Sequence, residues 1–242
     1  ADCISDYVVS SYTPTLTALL EPPTATANHF KMTTVIEPDA PNCSHLPGAQ
    51  AELKEIQKTV PGKWLTSLGD TTSSTVVTAL HHLRQSSVVH FACHGVQDLG
   101  NPLNSGLVLS DGRLKVSELM RRPDDSDTQF ANSMSLAFLS ACETAKGDKK
   151  VPDEAMHLAA TLLFAGFRGV VATMWSMDDR DGPKIASAFY EHLFKNCDAT
   201  SNPPVLPDLT RAAEALHVAV AKLREEPDVP FMRWVPFVHY GL

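Results

Sequence analysis

No apolar run in this chain of 242 residues approaches the roughly 20 residues that cross a bilayer, so no transmembrane helix is expected. Basic side chains are outnumbered, 20 Lys and Arg against 28 Asp and Glu, and the net charge is −8. A nucleic-acid surface needs clustered positive charge, so that partner class is set aside. Neither G-x-G-x-x-G nor G-x-x-x-x-G-K-[ST] follows any strand-like run, which removes a Rossmann-type nucleotide binder. The five cysteines (Cys3, Cys43, Cys93, Cys142 and Cys197) are odd in number and widely scattered. That pattern is no disulfide framework, and it points to a reducing, cytoplasmic location. The start does not read as a secretory signal. The chain opens on Ala1 rather than methionine, so a single domain over residues 1–242, cut from a longer protein, is expected, with 1–6 and 121–133 flexible. No internal repeat is visible.

What remains is a sequence with 43% apolar and 20% charged residues, enough for one substantial core. Strand-like runs alternate with helical patterns. Tyr7 to Thr13 and Met32 to Ile36 read as strands. Ala49, Leu53, Ile56 and Val60 recur at helical spacing, with Glu52, Lys54, Glu55 and Lys58 read as the polar residues between them. Val76, Leu80 and Leu83 repeat the pattern behind the N-cap oxygens of Thr72, Ser73 and Ser74. Leu107 to Leu114 resembles a hairpin around Asp111-Gly112. Asp153 to Phe167 is apolar nearly all round and reads as a buried helix closed by Gly169. Val170 to Trp175 is a further strand. Pro183 suits the first turn of a helix carrying Ile185, Phe189 and Leu193. Leu209 to Leu223 is amphipathic. Pro236 confines the tail from Trp234 to Tyr240 to a sheet edge. The alternation predicts an α/β fold with a largely parallel sheet.

Two apolar runs carry the chemistry. Val88-Val89-His90-Phe91-Ala92-Cys93 leads to His94-Gly95, and Ser135 to Ala141 leads to Cys142. Such runs suit parallel strands buried on both faces, and open α/β sheets place their sites just beyond the carboxyl ends of the strands. An imidazole and a thiol would then meet at one sheet edge, as in a cysteine-nucleophile site. The N–H groups of Gly95 and Cys142 could hold the oxyanion of a tetrahedral intermediate. Taken singly, Cys142 reads more readily as a packing residue and His94 as a satisfied core or surface histidine. His90 and Cys93 read as packing residues. Because Cys93 and His94 point to opposite strand faces, a zinc site is not expected.

Taken together, His90-Phe91-Ala92-Cys93-His94-Gly95, Ser105 to Leu109, Ser140-Ala141-Cys142-Glu143-Thr144, the stretch from Ala165-Gly166 to Trp175, and the closing Trp234, Phe237, Tyr240 and Gly241 resemble the CHAT domain. This is a caspase- and separase-like cysteine peptidase module often found beside TPR repeats, and the likeness covers residues 7–242. The resemblance implies a caspase-like three-layer sandwich, with His94 and Cys142 as the dyad. It implies a protein substrate, a thioester intermediate, and no metal or cofactor. It also implies a TPR-type flanking or partner regulator, and a place in programmed cell death or immunity. In separase-like relatives an acidic residue in the loop after the next strand lines the pocket for the residue before the cut. Asp179 is the best match, with Asp178 and Asp181 beside it, which implies cleavage after Arg or Lys. The alternative for these aspartates is capping the helix that begins at Pro183. Ala145 to Pro152 is less glycine-rich than the family pattern, and Thr173-Met174-Trp175 replaces the commoner Ser-Leu-Trp. The first departure lies beside Cys142 and is consistent with latency until a partner acts. A catalytically silent scaffold module is the competing function.

Overall fold

The computed structural model describes residues 3–13, 29–70, 72–96, 98, 100–120, 135–140 and 154–241. Its frame is a six-stranded sheet built from β1 (Met32–Ile36), β2 (Leu65–Leu68), β3 (Val88–Ala92), β7 (Leu136–Leu139), β8 (Gly169–Thr173) and β9 (Phe237–Gly241). The order is β2-β1-β3-β7-β8-β9. All neighbours run parallel except β9, which pairs antiparallel with β8 at the edge, as Pro236 predicts.

The apolar runs are continuous because both faces are covered. Alternation along β3 turns Val88 toward α1 (Pro47–Thr59), α5 (Gly182–Leu193) and α6 (Ala212–Arg224). Val89 and Phe91 turn the other way, toward α2 (Val76–Leu83) and α4 (Glu154–Phe164). Each fully buried Val, Leu or Phe on these faces contributes roughly 1.5–3 kcal/mol. A helix–sheet–helix sandwich follows, with a mostly parallel sheet at its centre. A second, antiparallel sheet of β4 (His94–Val96), β5 (Gly106–Leu109) and β6 (Gly112–Lys115) stands beyond the end of β3. The short helices α3 (Val116–Leu119) and α7 (Phe231–Trp234) complete the described elements.

Several sequence expectations need correction. Tyr7 to Thr13 forms no strand: Ile4–Asp6 is a 3-10 turn, and only Tyr12 bridges to Tyr240. Tyr7, Val8 and Val9 are exposed, while Tyr12 meets the Tyr240 ring and the segment closes the β9 edge. Tyr12 N–H donates to the His239 carbonyl at 2.8 Å, and Gly241 N–H donates to the Tyr12 carbonyl at 2.7 Å. The cap of α2 is Thr75, whose hydroxyl accepts from Thr78 N–H, not an oxygen further upstream. Gly169 opens β8 rather than closing α4. The edge strand β2 carries too weak a pattern, Leu-Thr-Ser-Leu, to read from sequence.

Candidate active site

Moving outward from β1 the chain goes first to β2 on one side and then to β3 on the other, so the loops leaving β1 and β3 diverge. In open α/β sheets that divergence is where a cleft forms. The loop after β1 carries Ser44, and the chain leaving β3 turns at Cys93 into β4 with His94 as its first residue. His94 is buried, and its Nε2 lies 2.7 Å from the Ser44 carbonyl oxygen. A carbonyl only accepts, so Nε2 is the nitrogen bearing the proton, and Nδ1 is the one that can take up or hand on another.

Cys142 lies outside the described residues, as do the segment Ala145 to Pro152 and the loop 121–133. Every rung between β3 and β7 pairs a residue with the one 48 positions later, from Val88↔Leu136 to Phe91↔Leu139. Ser140 N–H extends that ladder to the Phe91 carbonyl at 2.8 Å. In the chain, His94 and Cys142 thus each follow one of two neighbouring parallel strands, β3 and β7. Gly95, the other oxyanion candidate, is buried in β4 opposite Leu107.

The three aspartates sit on the loop from β8 to α5, at this same edge, and each has a different hydrogen-bonded partner, with Arg233 also 3.8 Å from Asp178. Asp179 Oδ2 accepts from Gly48 N–H at 2.7 Å. Leu46 offers α1 no side-chain cap and Pro47 has no N–H, so Gly48 supplies the orphan donor that Asp179 satisfies. The aspartate therefore caps a helix, though α1 rather than the one beginning near Pro183. Gly48 is required by space, since a Cβ there would overlap the Asp179 carbonyl and carboxylate. Asp181 is fully buried and bound by both arms of Arg233, with Nε at 2.8 Å from Oδ2. The hydrogen bond to Asp181, with its charge, raises the Arg233 pKa. Asp178 accepts from Arg180 Nε at 2.9 Å and Nη2 at 2.6 Å, and Arg180 is 75% exposed. Those bonds hold the Asp178 carboxyl well below the usual carboxylate range.

Beneath the edge lies a polar cluster that sequence reasoning missed. Ser140 Oγ donates to Glu52 Oε2 at 2.8 Å. Glu52 Oε1 stands 2.9 Å from His90 Nε2, close but poorly directed, so neither atom has an aligned hydrogen bond there. His90 Nδ1 lies 3.0 Å from the Tyr190 hydroxyl, and all four residues are buried. Burial, then the Glu52 charge, raises the Tyr190 pKa well above its ordinary value. The missed signal is spacing: Ala49, Glu52, Leu53 and Ile56 form one i, i+3, i+4, i+7 stripe, and that stripe is the buried one. Cys93 is buried against apolar neighbours, and burial pushes its thiol far up. Among the described residues no cluster of three His, Cys, Asp or Glu could hold a metal ion, and no helix is long and apolar enough to cross a membrane.

The CHAT domain family matches residues 4–242. The chain belongs to that family. No curated protein matches it. Among solved structures it is similar to the complex of Porphyromonas gingivalis RgpB pro- and mature domains, with a TM-score of 0.50 and 11% identity over 87% of this chain and 47% of that one. It is also similar to the Arg specific cysteine proteinase gingipain R (RgpB), with a TM-score of 0.48 and 11% identity over 87% of this chain and 46% of that one. The chain thus spans about half the length of the structures it matches. At such identity the likeness is one of fold, and the fold of this CHAT domain is caspase-like.

Proposed function

We propose that this CHAT domain is a cysteine endopeptidase that uses His94 and Cys142 to cut a specific protein after a basic residue. The observation that carries the reading is the shared edge: His94, oriented by the Ser44 carbonyl, follows the strand adjacent to the one that leads to Cys142. Family membership and the caspase-like fold support the same class of chemistry. The Cys142 sulfur attacks the scissile carbonyl, and the oxyanion is taken by the N–H groups of Gly95 and Cys142. The proton lost by the thiol passes to the leaving amine through Nδ1 of His94 as the C–N bond breaks. Water then attacks the thioester, returning a carboxylic acid and the thiol.

Of the three aspartates, Asp178 is assigned to the pocket for the basic side chain. Asp179 and Asp181 are committed to Gly48 and Arg233, whereas the hydrogen-bonded partner of Asp178 is a mostly exposed arginine on its own loop, with Arg233 Nε further off at 3.8 Å. A substrate guanidinium can replace that of Arg180 like for like. His94 has no solvent-accessible surface, which supports an enzyme with a basal activity that rises when a partner or flanking domain uncovers the ring.

A panel of fluorogenic peptides with Arg, Lys, Asp or Leu before the scissile bond tests the reading. Arg and Lys peptides are expected to be cleaved by the wild type and not by Cys142→Ala, with the preference lost in Asp178→Ala. Preference for Asp, or unchanged turnover by Cys142→Ala, overturns it.

A further inference from the structure

Helix α1 and the segment leading into it reach His94 and also Ser140, which stands two residues before Cys142 in the chain. Just ahead of its first turn, the Ser44 carbonyl binds His94 Nε2 at 2.7 Å. At its second residue, Gly48 N–H is held by Asp179 from the loop after β8. One turn further on, Glu52 accepts from Ser140 Oγ at 2.8 Å. Positions 48 and 52 are four apart and share one face of the helix. Ser140 follows β7 and stands two residues before Cys142 in the chain.

The Glu52 contact is tightly enclosed. A Cβ on Gly182 would stand 2.9 Å from Glu52 Oε2 and 3.1 Å from Ser140 Oγ, so the start of α5 presses on the pair. On the far side His90 and Tyr190 occupy the space through which the carboxylate could withdraw. A buried carboxylate placed among Ser, His and Tyr, with no Lys or Arg beside it among the described residues, is expensive to fold around. An apolar residue in the α1 stripe would fill the site more cheaply, so a role beyond packing is indicated.

We infer that α1 and the segment leading into it align both halves of the dyad, Ser44 orienting the His94 ring and Glu52 fixing Ser140, so that Glu52 is a positioning residue for the Cys142 nucleophile. The inference rests on the dyad reading above and names what holds its geometry. Near-attack geometry is steep, since a misplacement of about 1 Å costs on the order of 10²-fold in rate.

The test measures kcat and KM of the whole chain on an Arg peptide for wild type, Ser140→Ala, Glu52→Ala and Glu52→Gln, all well below their melting temperatures. Ser140→Ala and Glu52→Ala are expected to lower kcat by about tenfold to a hundredfold with KM unchanged within about twofold. Glu52→Gln should recover most of the loss, because its amide oxygen still accepts from Ser140. A substrate-independent readout accompanies it: the rate at which iodoacetamide modifies Cys142, followed by mass spectrometry, should shift in the Ala variants and return in Gln. Unchanged kcat and alkylation in both Ala variants overturns the inference, as does a Gln variant no better than Ala. A Cys142→Ala arm separates the two failures. Turnover persisting there removes the dyad itself, whereas its loss beside unaffected Glu52 and Ser140 variants removes only the alignment role.

Discussion

Two polar clusters lie at the same end of the sheet, and they are built on opposite terms. Ser140, Glu52, His90 and Tyr190 are sealed beneath the edge, each defined by the others and closed by the start of α5. Asp178, Arg180, Asp181 and Arg233 stand at the rim and grade from a fully buried Asp181 to an Arg180 that is 75% exposed. A sealed cluster cannot trade partners, so it suits holding a geometry. A graded one can be rigid at its inner end and exchangeable at its outer end, which suits meeting a substrate charge.

The comparison breaks most visibly at Arg233. Removing it leaves the buried Asp181 charge unpaired, and such losses cost about 3–5 kcal/mol. With Arg233 itself partly open, the lower end is expected for Arg233→Ala, a fall in melting temperature on the order of 10 °C. A shift under about 2 °C would mean the inner end of the rim is no more fixed than the outer. His239 extends the contrast to a lone buried group, whose Nδ1 meets Ser11 Oγ at 2.7 Å. Burial lowers its pKa from 6.5 to about 4, so the unfolded chain takes up the proton first. Its stabilising contribution is complete above pH 6.5 and drains as pH falls toward 4, by up to about 3 kcal/mol. Melting temperatures of wild type and His239→Gln, followed from pH 7.5 to 4.5, should converge on the acid side. Parallel curves would contradict the assignment. The smallest effect belongs to Arg180→Ala. Exposed pairs contribute roughly 0–1 kcal/mol, so stability should hardly change, while KM for an Arg peptide should fall as Asp178 loses its resident partner. A raised KM would place Arg180, not Asp178, in contact with substrate.

The strands were legible wherever burial on both faces wrote a continuous apolar run, as at Val88–Ala92, Leu136–Leu139 and Gly169–Thr173. The helices followed from period, and the family from motifs spread along the whole chain. What escaped was set by tertiary partners. Asp179 looked like pocket or local cap chemistry, but its partner is Gly48, 131 residues away in sequence. Glu52 carried a charge, which outweighed its position in an apolar stripe. His90 and Cys93 were both read as packing: Cys93 packs among apolar residues, while His90 belongs to a polar cluster because α1 and α5 bring Glu52 and Tyr190 to it.

The central claim is that His94 and Cys142 act together, and the most direct measurement is the pH dependence of iodoacetamide modification at Cys142 in wild type and His94→Ala. The account predicts that the wild-type profile differs from that of an isolated thiol, and that His94→Ala reduces it to the single step of one. Superimposable profiles would mean the imidazole and the sulfur do not share a site, and the peptidase reading would fall.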